Sequence, residues 1–370
     1  MRQTNILFLI GGAACVVLYL SLNARPVLRQ SPQTEGQTPG SPEVDPVNTI
    51  QPSLKQSPPI VSIEAQLPAK TLIERIAAGD TNAYHLSLEQ VQAFLARNHT
   101  SGEALLAAFN VSGGQEFLRE AARRYPKDPF VLAAVLGNDA LPQRRGELLN
   151  QFKQVSPDNP LANYFAARED LRNQQPGEAL KEMAEASTKS GFTDFTIERV
   201  QGLEELYLSA GHSPSEAKAL ATIGVEEPSL PVLRDVATGL SALERQYAAG
   251  GDTASAELIA REGLSLSVSI ANAGTRSLAT QLLADSVQRD FLTPLNPQES
   301  YSFLEGQVRE RLTQLQQDRQ SILNGMQFYN DWLATANEAQ LIPYFDRVRL
   351  YGEAAALNWA RTQTGEPSPK

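Results

Sequence analysis

Apolar residues follow three different patterns along this 370-residue chain. Residues 6–22, ILFLIGGAACVVLYLSL, are uncharged and show no polar face. Ile6, Leu7, Phe8, Leu9 and Ile10 form one apolar block, and Val16, Val17, Leu18, Tyr19 and Leu20 form a second. As a helix the run would span about 25 Å, the short end of what a hydrocarbon core of about 30 Å requires. Residues 1–24 therefore read as a signal-anchor crossing a membrane. Residues 25–61 change character: rich in Pro, Gln, Ser and Thr, without an aromatic, they cannot bury enough apolar surface to offset their ordering entropy. They read as a disordered spacer. From residue 62 the apolar positions recur at helical spacing, and no run alternates as a half-buried strand would.

The helical part is punctuated by repeated corners. RRYPKDPFVLAAVL and QVSPDNPLANYFAA each hold Pro-x-[Asp/Asn]-Pro, at 126–129 and at 157–160. Pro126 and Pro157 stop a preceding helix, while Asp128 and Asn159 stand where an N-cap precedes proline at the first helical position. Ser87 with Gln90, Thr100 with Glu103, Ser213 with Glu216 and Asn296 with Glu299 have capping-box spacing, and Asp252 offers a further cap. The two corners stand 31 residues apart, and two helices per 31 residues suggest stacked helical hairpins.

Residues 156–191, SPDNPLANYFAAREDLRNQQPGEALKEMAEASTKSG, resemble one tetratricopeptide repeat. Ala166 and Ala167 occupy the small positions of its first helix; Ala179 and Ala186 occupy those of its second. GDTASAELIAREGLSL, from Gly251, is similar to a second such helix, with Ala256 at the close contact and Gly263 in place of the other alanine. Small residues let two helix axes approach to about 8 Å. The resemblance covers about residues 115–272 and implies a concave surface that binds a protein or peptide; residues 62–295 as a whole read as an α-solenoid.

The carboxy-terminal part differs. Between 299 and 334 there is no proline, and a stripe runs through Leu304, Val308, Leu312, Leu315, Ile322, Met326, Tyr329 and Leu333. It predicts one amphipathic helix of about 50 Å. Pro343 then opens a second helix, with Phe345, Val348, Ala355 and Trp359 inward. Residues 296–364 thus read as a long antiparallel hairpin closing the array, followed by a disordered tail at 365–370. Tyr329, Trp332, Tyr344, Tyr351 and Trp359 belong to its dense aromatic group: core between the two helices, or anchors for a partner. A stripe of this length also suits coiled-coil pairing between two copies of the chain, making a homo-oligomer.

Composition narrows the rest. A formal charge of −10 and a pI near 5.0 argue against a nucleic-acid surface. The single cysteine, Cys15, excludes an internal disulfide. It also completes Gly12-Ala13-Ala14-Cys15, which resembles the cleavage box of bacterial lipoproteins, so lipid anchoring stands beside signal cleavage after Ala24 as an alternative to the retained anchor. The three histidines, His85, His99 and His212, have no second histidine or cysteine at metal-ligand spacing. No nucleophile elbow, phosphate loop or dinucleotide fingerprint is present. Glu204-Glu205 and Glu226-Glu227 are adjacent pairs that read as solvated faces. No cofactor is called for.

The expected molecule is all-α: stacked antiparallel helical hairpins and a long closing hairpin, preceded by one transmembrane helix and a disordered linker. Its expected place is the exported, periplasmic side of a bacterial inner membrane, where it serves as a scaffold for a protein or peptide. Self-assembly through the final helices, and an enzyme whose acids meet only in the fold, are the rivals.

Overall fold

The computed structural model describes residue 75 and residues 85–365 apart from residue 226. The expected anchor at 1–24 with its alternative lipoprotein box, the expected spacer at 25–61 and the expected tail beyond 365 lie outside the described residues. Among those described, the fold is all-α, and its only β-type pairing is one isolated bridge. No described helix is long and apolar enough to cross a membrane.

Seven helices wind first: α1 (Leu88–Arg97), α2 (Gly102–Ser112), α3 (Gln115–Arg124), α4 (Pro129–Gly137), α5 (Arg145–Val155), α6 (Leu161–Arg172) and α7 (Pro176–Ser187). Each packs on the next. Local chemistry explains their starts. Ser87 and Gln90 form a capping box on α1. Asp128 accepts the N–H groups of Phe130 (2.8 Å) and Val131 (3.3 Å), with Pro129 first in α4. Two starts differ from the expected residues. Ser101, not Thr100, caps α2, because His99 and Thr100 both turn left-handed (φ 51° and 53°) to leave α1. At the second corner the helix begins one residue after Pro160. Asn159 Oδ1 still accepts the Leu161 N–H (3.1 Å), while its Nδ2 donates to the Thr193 carbonyl (2.8 Å). The corner therefore also holds the approach to the next hairpin. Helix α4 is apolar on all sides and forms the centre of the first core, surrounded by α2, α3, α5 and α6.

That next hairpin, α8 (Thr196–Ser209) and α9 (Pro214–Ile223), turns back onto α1 and α2. The stack resumes without it: α10 (Ser229–Ala249) packs on α6, α11 (Thr253–Ala271) on α7, and α12 (Leu278–Leu292) on α11. The architecture is thus a set of helical hairpins compatible with a helical-repeat fold, with one hairpin set outside the stack. Gly263 of α11 shows how close the stack is, because a Cβ there would run into the ring of Phe291.

The carboxy-terminal hairpin is corrected. Helix α13 is Val308–Leu333, 26 residues and about 39 Å long. Residues 299–307 instead form a small loop, closed by the Ser300–Gln307 bridge and by left-handed Gly306 (φ 78°). Asn296 bonds Glu299 (2.7 Å) inside this loop and caps no helix; Leu304 packs from it. Pro343 lies within α14 (Glu338–Tyr351), which Asn337 and Gln340 cap. Gly352 (φ 90°) then breaks the chain before α15 (Glu353–Thr364). Ala355 is exposed, and Ala356 and Ala360 face inward. Helix α13 packs along α12 and α15, whereas α14 packs on α15 and α9; α13 and α14 meet mainly through aromatic rings near their shared turn.

Candidate functional site

The small residues of the repeat-like segments lie on α6, α7 and α11. Ala167, Ala179, Ala186 and Ala256 are buried and Ala166 is half-buried. Beside them Lys153 pairs with Glu182 (2.6 Å), and Asn163 bonds both Glu182 and Lys189 (2.7 Å each), so the α6–α7 hairpin has a satisfied polar seam.

The five aromatics separate into three environments. Tyr329, Trp332 and Tyr344 are core: the rings of Tyr329 and Tyr344 stack at 5.8 Å, and Trp332 lies 4.6 Å from Tyr344. Among the described residues Trp332 Nε1 and the Tyr344 hydroxyl have no hydrogen-bond partner, and burial pushes the Tyr344 phenol well above its ordinary value. Trp359 is half-buried beneath the Arg347 guanidinium, 4.4 Å from its ring centre. Only Tyr351 stands in solvent, 64% exposed.

Tyr351 adjoins the groove where α8 meets the end of α14. Ile197, Gln201, Glu204, Glu205 and Leu208 recur along one stripe of α8; Arg349 and Leu350 form the opposite wall around about 500 Å³. Leu208 and Leu350, both in the lining, are 41% and 57% exposed. Beneath them the walls are tied by charge. Lys218 of α9 bonds Glu204 (2.9 Å) and Asp346 (2.7 Å), and Arg349 lies 3.5 Å from Glu204. Burial opposes the Lys218 charge, but its bonds to Asp346 and Glu204 outweigh this and push its pKa up. The adjacent pair Glu204-Glu205 thus splits in role: Glu204 is engaged, while Glu205 is exposed and, among the described residues, meets only the Gln201 amide (3.4 Å).

Both walls spring from a polar knot that sequence reading missed. Asp194 accepts from the Thr196 amide (3.2 Å) and hydroxyl (3.0 Å), from Ser229 (3.3 Å) and from the Gly274 N–H (2.9 Å). Arg199 bonds the Thr196 hydroxyl (3.4 Å) and lies 5.6 Å over the Phe130 ring. Glu227, expected on a solvated face, keeps part of its surface open, but its carboxyl lies deep among protein atoms against left-handed Gly274. A Cβ on Gly274 would collide with it. Burial chiefly, with the nearby charges of Asp194 and Glu353, pushes Glu227 up to about 8 against the pull of Arg199 and the Thr275 amide. Glu353 accepts the Leu278 N–H (2.7 Å), and burial raises it too. The one signal in the sequence was Asp194-Phe-Thr196, whose spacing allows an Asx turn; Glu227 and Glu353 lie far away along the chain.

Among the described residues no group of three or more His, Cys, Asp and Glu side chains is arranged to hold a metal. His212 packs edge-on against Tyr207 (5.6 Å) and lies 3.8 Å from Glu216, as a loop residue would. Family models, curated proteins and solved structures were compared with the chain, and none matches.

Proposed function

We propose that this protein is a non-catalytic helical-repeat scaffold of tetratricopeptide-like hairpins, tethered by its amino-terminal segment to the exported side of a membrane. Its partner is a protein or peptide that inserts an apolar side chain between Leu208 and Leu350. The observation that carries this reading is that two exposed leucines line one groove whose walls are tied by charge. Exposed apolar surface framed by polar groups is a mark of recognition sites. Arg349 already faces Glu204 and Asp346, whereas Glu205 has only an amide, so a Lys or Arg next to the apolar residue completes the match.

The test is selection of short displayed peptides on the full-length protein in detergent, followed by titration. Enriched peptides carrying an apolar residue beside a basic one, and weakened about tenfold or more by Leu350→Glu, support the scaffold. Peptides bound equally by wild type and Leu350→Glu would remove the groove from the account.

A further inference from the structure

The α8–α14 groove has walls from two distant parts of the chain, and both begin at the same buried knot. Ile197 follows directly on Thr196, which gives its amide and its hydroxyl to Asp194. Opposite, the Leu350 carbonyl accepts from Arg276 (3.5 Å), and Arg276 in turn accepts the Glu353 amide on its own carbonyl (3.3 Å). The backbone around the knot is left-handed at four places: Phe195 (φ 60°), Gly274 (59°), Arg276 (49°) and Gly352 (90°). Such conformations in Phe and Arg cost on the order of 1–3 kcal/mol each and persist only where the surroundings over-determine them. For Phe195 the surroundings include the Phe130 ring, stacked at 5.7 Å. The α8–α9 hairpin leaves the stack at this point and rejoins it at this point.

Two further carboxyls, Asp194 and Glu353, and the Arg199 guanidinium lie near Glu227. Asp194 is occupied by four donors and Glu353 caps Leu278. Glu227 is the acid with least support: the groups facing it are Asp194 from the α7–α8 loop, Arg199 from α8, Glu353 from α15 and the Thr275 amide from the α11–α12 turn.

We propose that Glu227 is a positioning residue for the groove, and that gain or loss of one proton at its carboxyl sets the separation of the Leu208 and Leu350 walls. With the proton on, Asp194 and Glu353 tolerate Glu227 beneath Gly274 and the walls stand as described. With the proton off, a further negative charge is confined beside two carboxyls. The strained joints release, water enters, and α8 moves away from the α14–α15 corner. This inference rests on the groove reading only for its consequence, the control of partner binding; the motion itself is independent of any partner.

The measurement uses the full-length chain in detergent, with Cys15→Ser and spin labels at two exposed positions, Glu198→Cys on α8 and Tyr351→Cys on α14. Distances are read between about pH 6 and about pH 10, two units either side of the Glu227 value near 8, which takes a single site from about 1% to about 99% ionised. The expected result is a second, longer distance that grows in with a midpoint near 8, stays absent at every pH in Glu227→Gln, and returns in Glu227→Asp. An unchanged distance in the wild type overturns the proposal, as does a transition that persists in Glu227→Gln. Should Glu227→Gln fail to fold, Glu244→Gln decides: the transition should persist there with its midpoint near 8, and its loss would assign it to Glu244 and overturn the proposal. Peptide affinity measured on the same samples separates the two ideas: distances that ignore pH with peptide still bound sink the proton control alone, and a pH-driven motion with no peptide bound sinks the groove reading alone.

Discussion

Glu353 Oε2 accepts the backbone N–H of Leu278 at 2.7 Å, so the first residue of α15 serves a helix start 75 positions earlier. The free amides of a helix start need such acceptors, and here the acceptor comes from another helix. This contact binds the carboxy-terminal helices to the stack. Glu353→Ala should lower stability by about 1–3 kcal/mol, as expected when a buried donor loses its partner. Glu353→Gln keeps an acceptor oxygen and should lose less than half as much. Urea unfolding of the two variants side by side checks the difference.

Stability should fall with rising pH. Glu244 of α10 is fully buried, neither carboxyl oxygen has a partner, and burial pushes it up to about 8, with Arg245 opposing and Asp290 reinforcing. Its folded value lies above its ordinary 4.5, so between the two the folded chain holds a proton that the unfolded chain has released. The stabilising effect is complete below the unfolded value and disappears as pH rises through the folded one. One such group gives a slope of at most about 1.4 kcal/mol per pH unit. Glu244→Gln should flatten the profile of unfolding free energy between those limits and leave the protein more stable at the alkaline end. A profile unchanged by the substitution would show that Glu244 is not the titrating group.

The aromatic core makes opposite predictions for neighbouring rings. The Tyr344 hydroxyl is buried without a partner, so Tyr344→Phe removes an unsatisfied polar atom and should be neutral or stabilising. Trp332→Ala leaves a large void and should cost about 3–5 kcal/mol. Neither change should alter peptide affinity in molecules that remain folded. Denaturant midpoints and titrations on the same variants test both statements.

Two helical glycines should respond in opposite ways to alanine. At Gly263 the new Cβ meets the Phe291 ring, and the forced repacking should cost about 1–3 kcal/mol. At Gly146, near the start of α5, a Cβ meets no atom, so lower entropy in the unfolded chain should give a gain of up to about 1 kcal/mol. Thermal melts would rank them.

What could be read from the sequence was local. Asp128, Ser213 and Asp252 cap the helices they were expected to cap, because capping depends on residues two or three apart. The all-α character and the hairpins follow from those starts. The longest stripe misled: apolar spacing continued through Leu304, but Gly306 permits a left-handed turn that keeps residues 299–307 in a loop ahead of α13, and Gly352 ends α14 before α15. Pro343 sits in the second turn of α14, where Asn337 had already started the helix. The groove was invisible because Leu208 and Leu350 are separated by 142 positions, and the knot because Asp194, Glu227 and Glu353 come from three different joints. Of the aromatics, only Tyr351 adjoins the groove.

The most direct measurement is hydrogen exchange on the full-length protein with and without a selected peptide. Binding in the groove predicts slowed exchange confined to residues 197–208 and to the end of α14 around Leu350, lost in Leu350→Glu. Protection that falls instead on α6, α7 and α10, with α8 and α14 unchanged, would contradict the account and move the binding surface to the repeat stack itself.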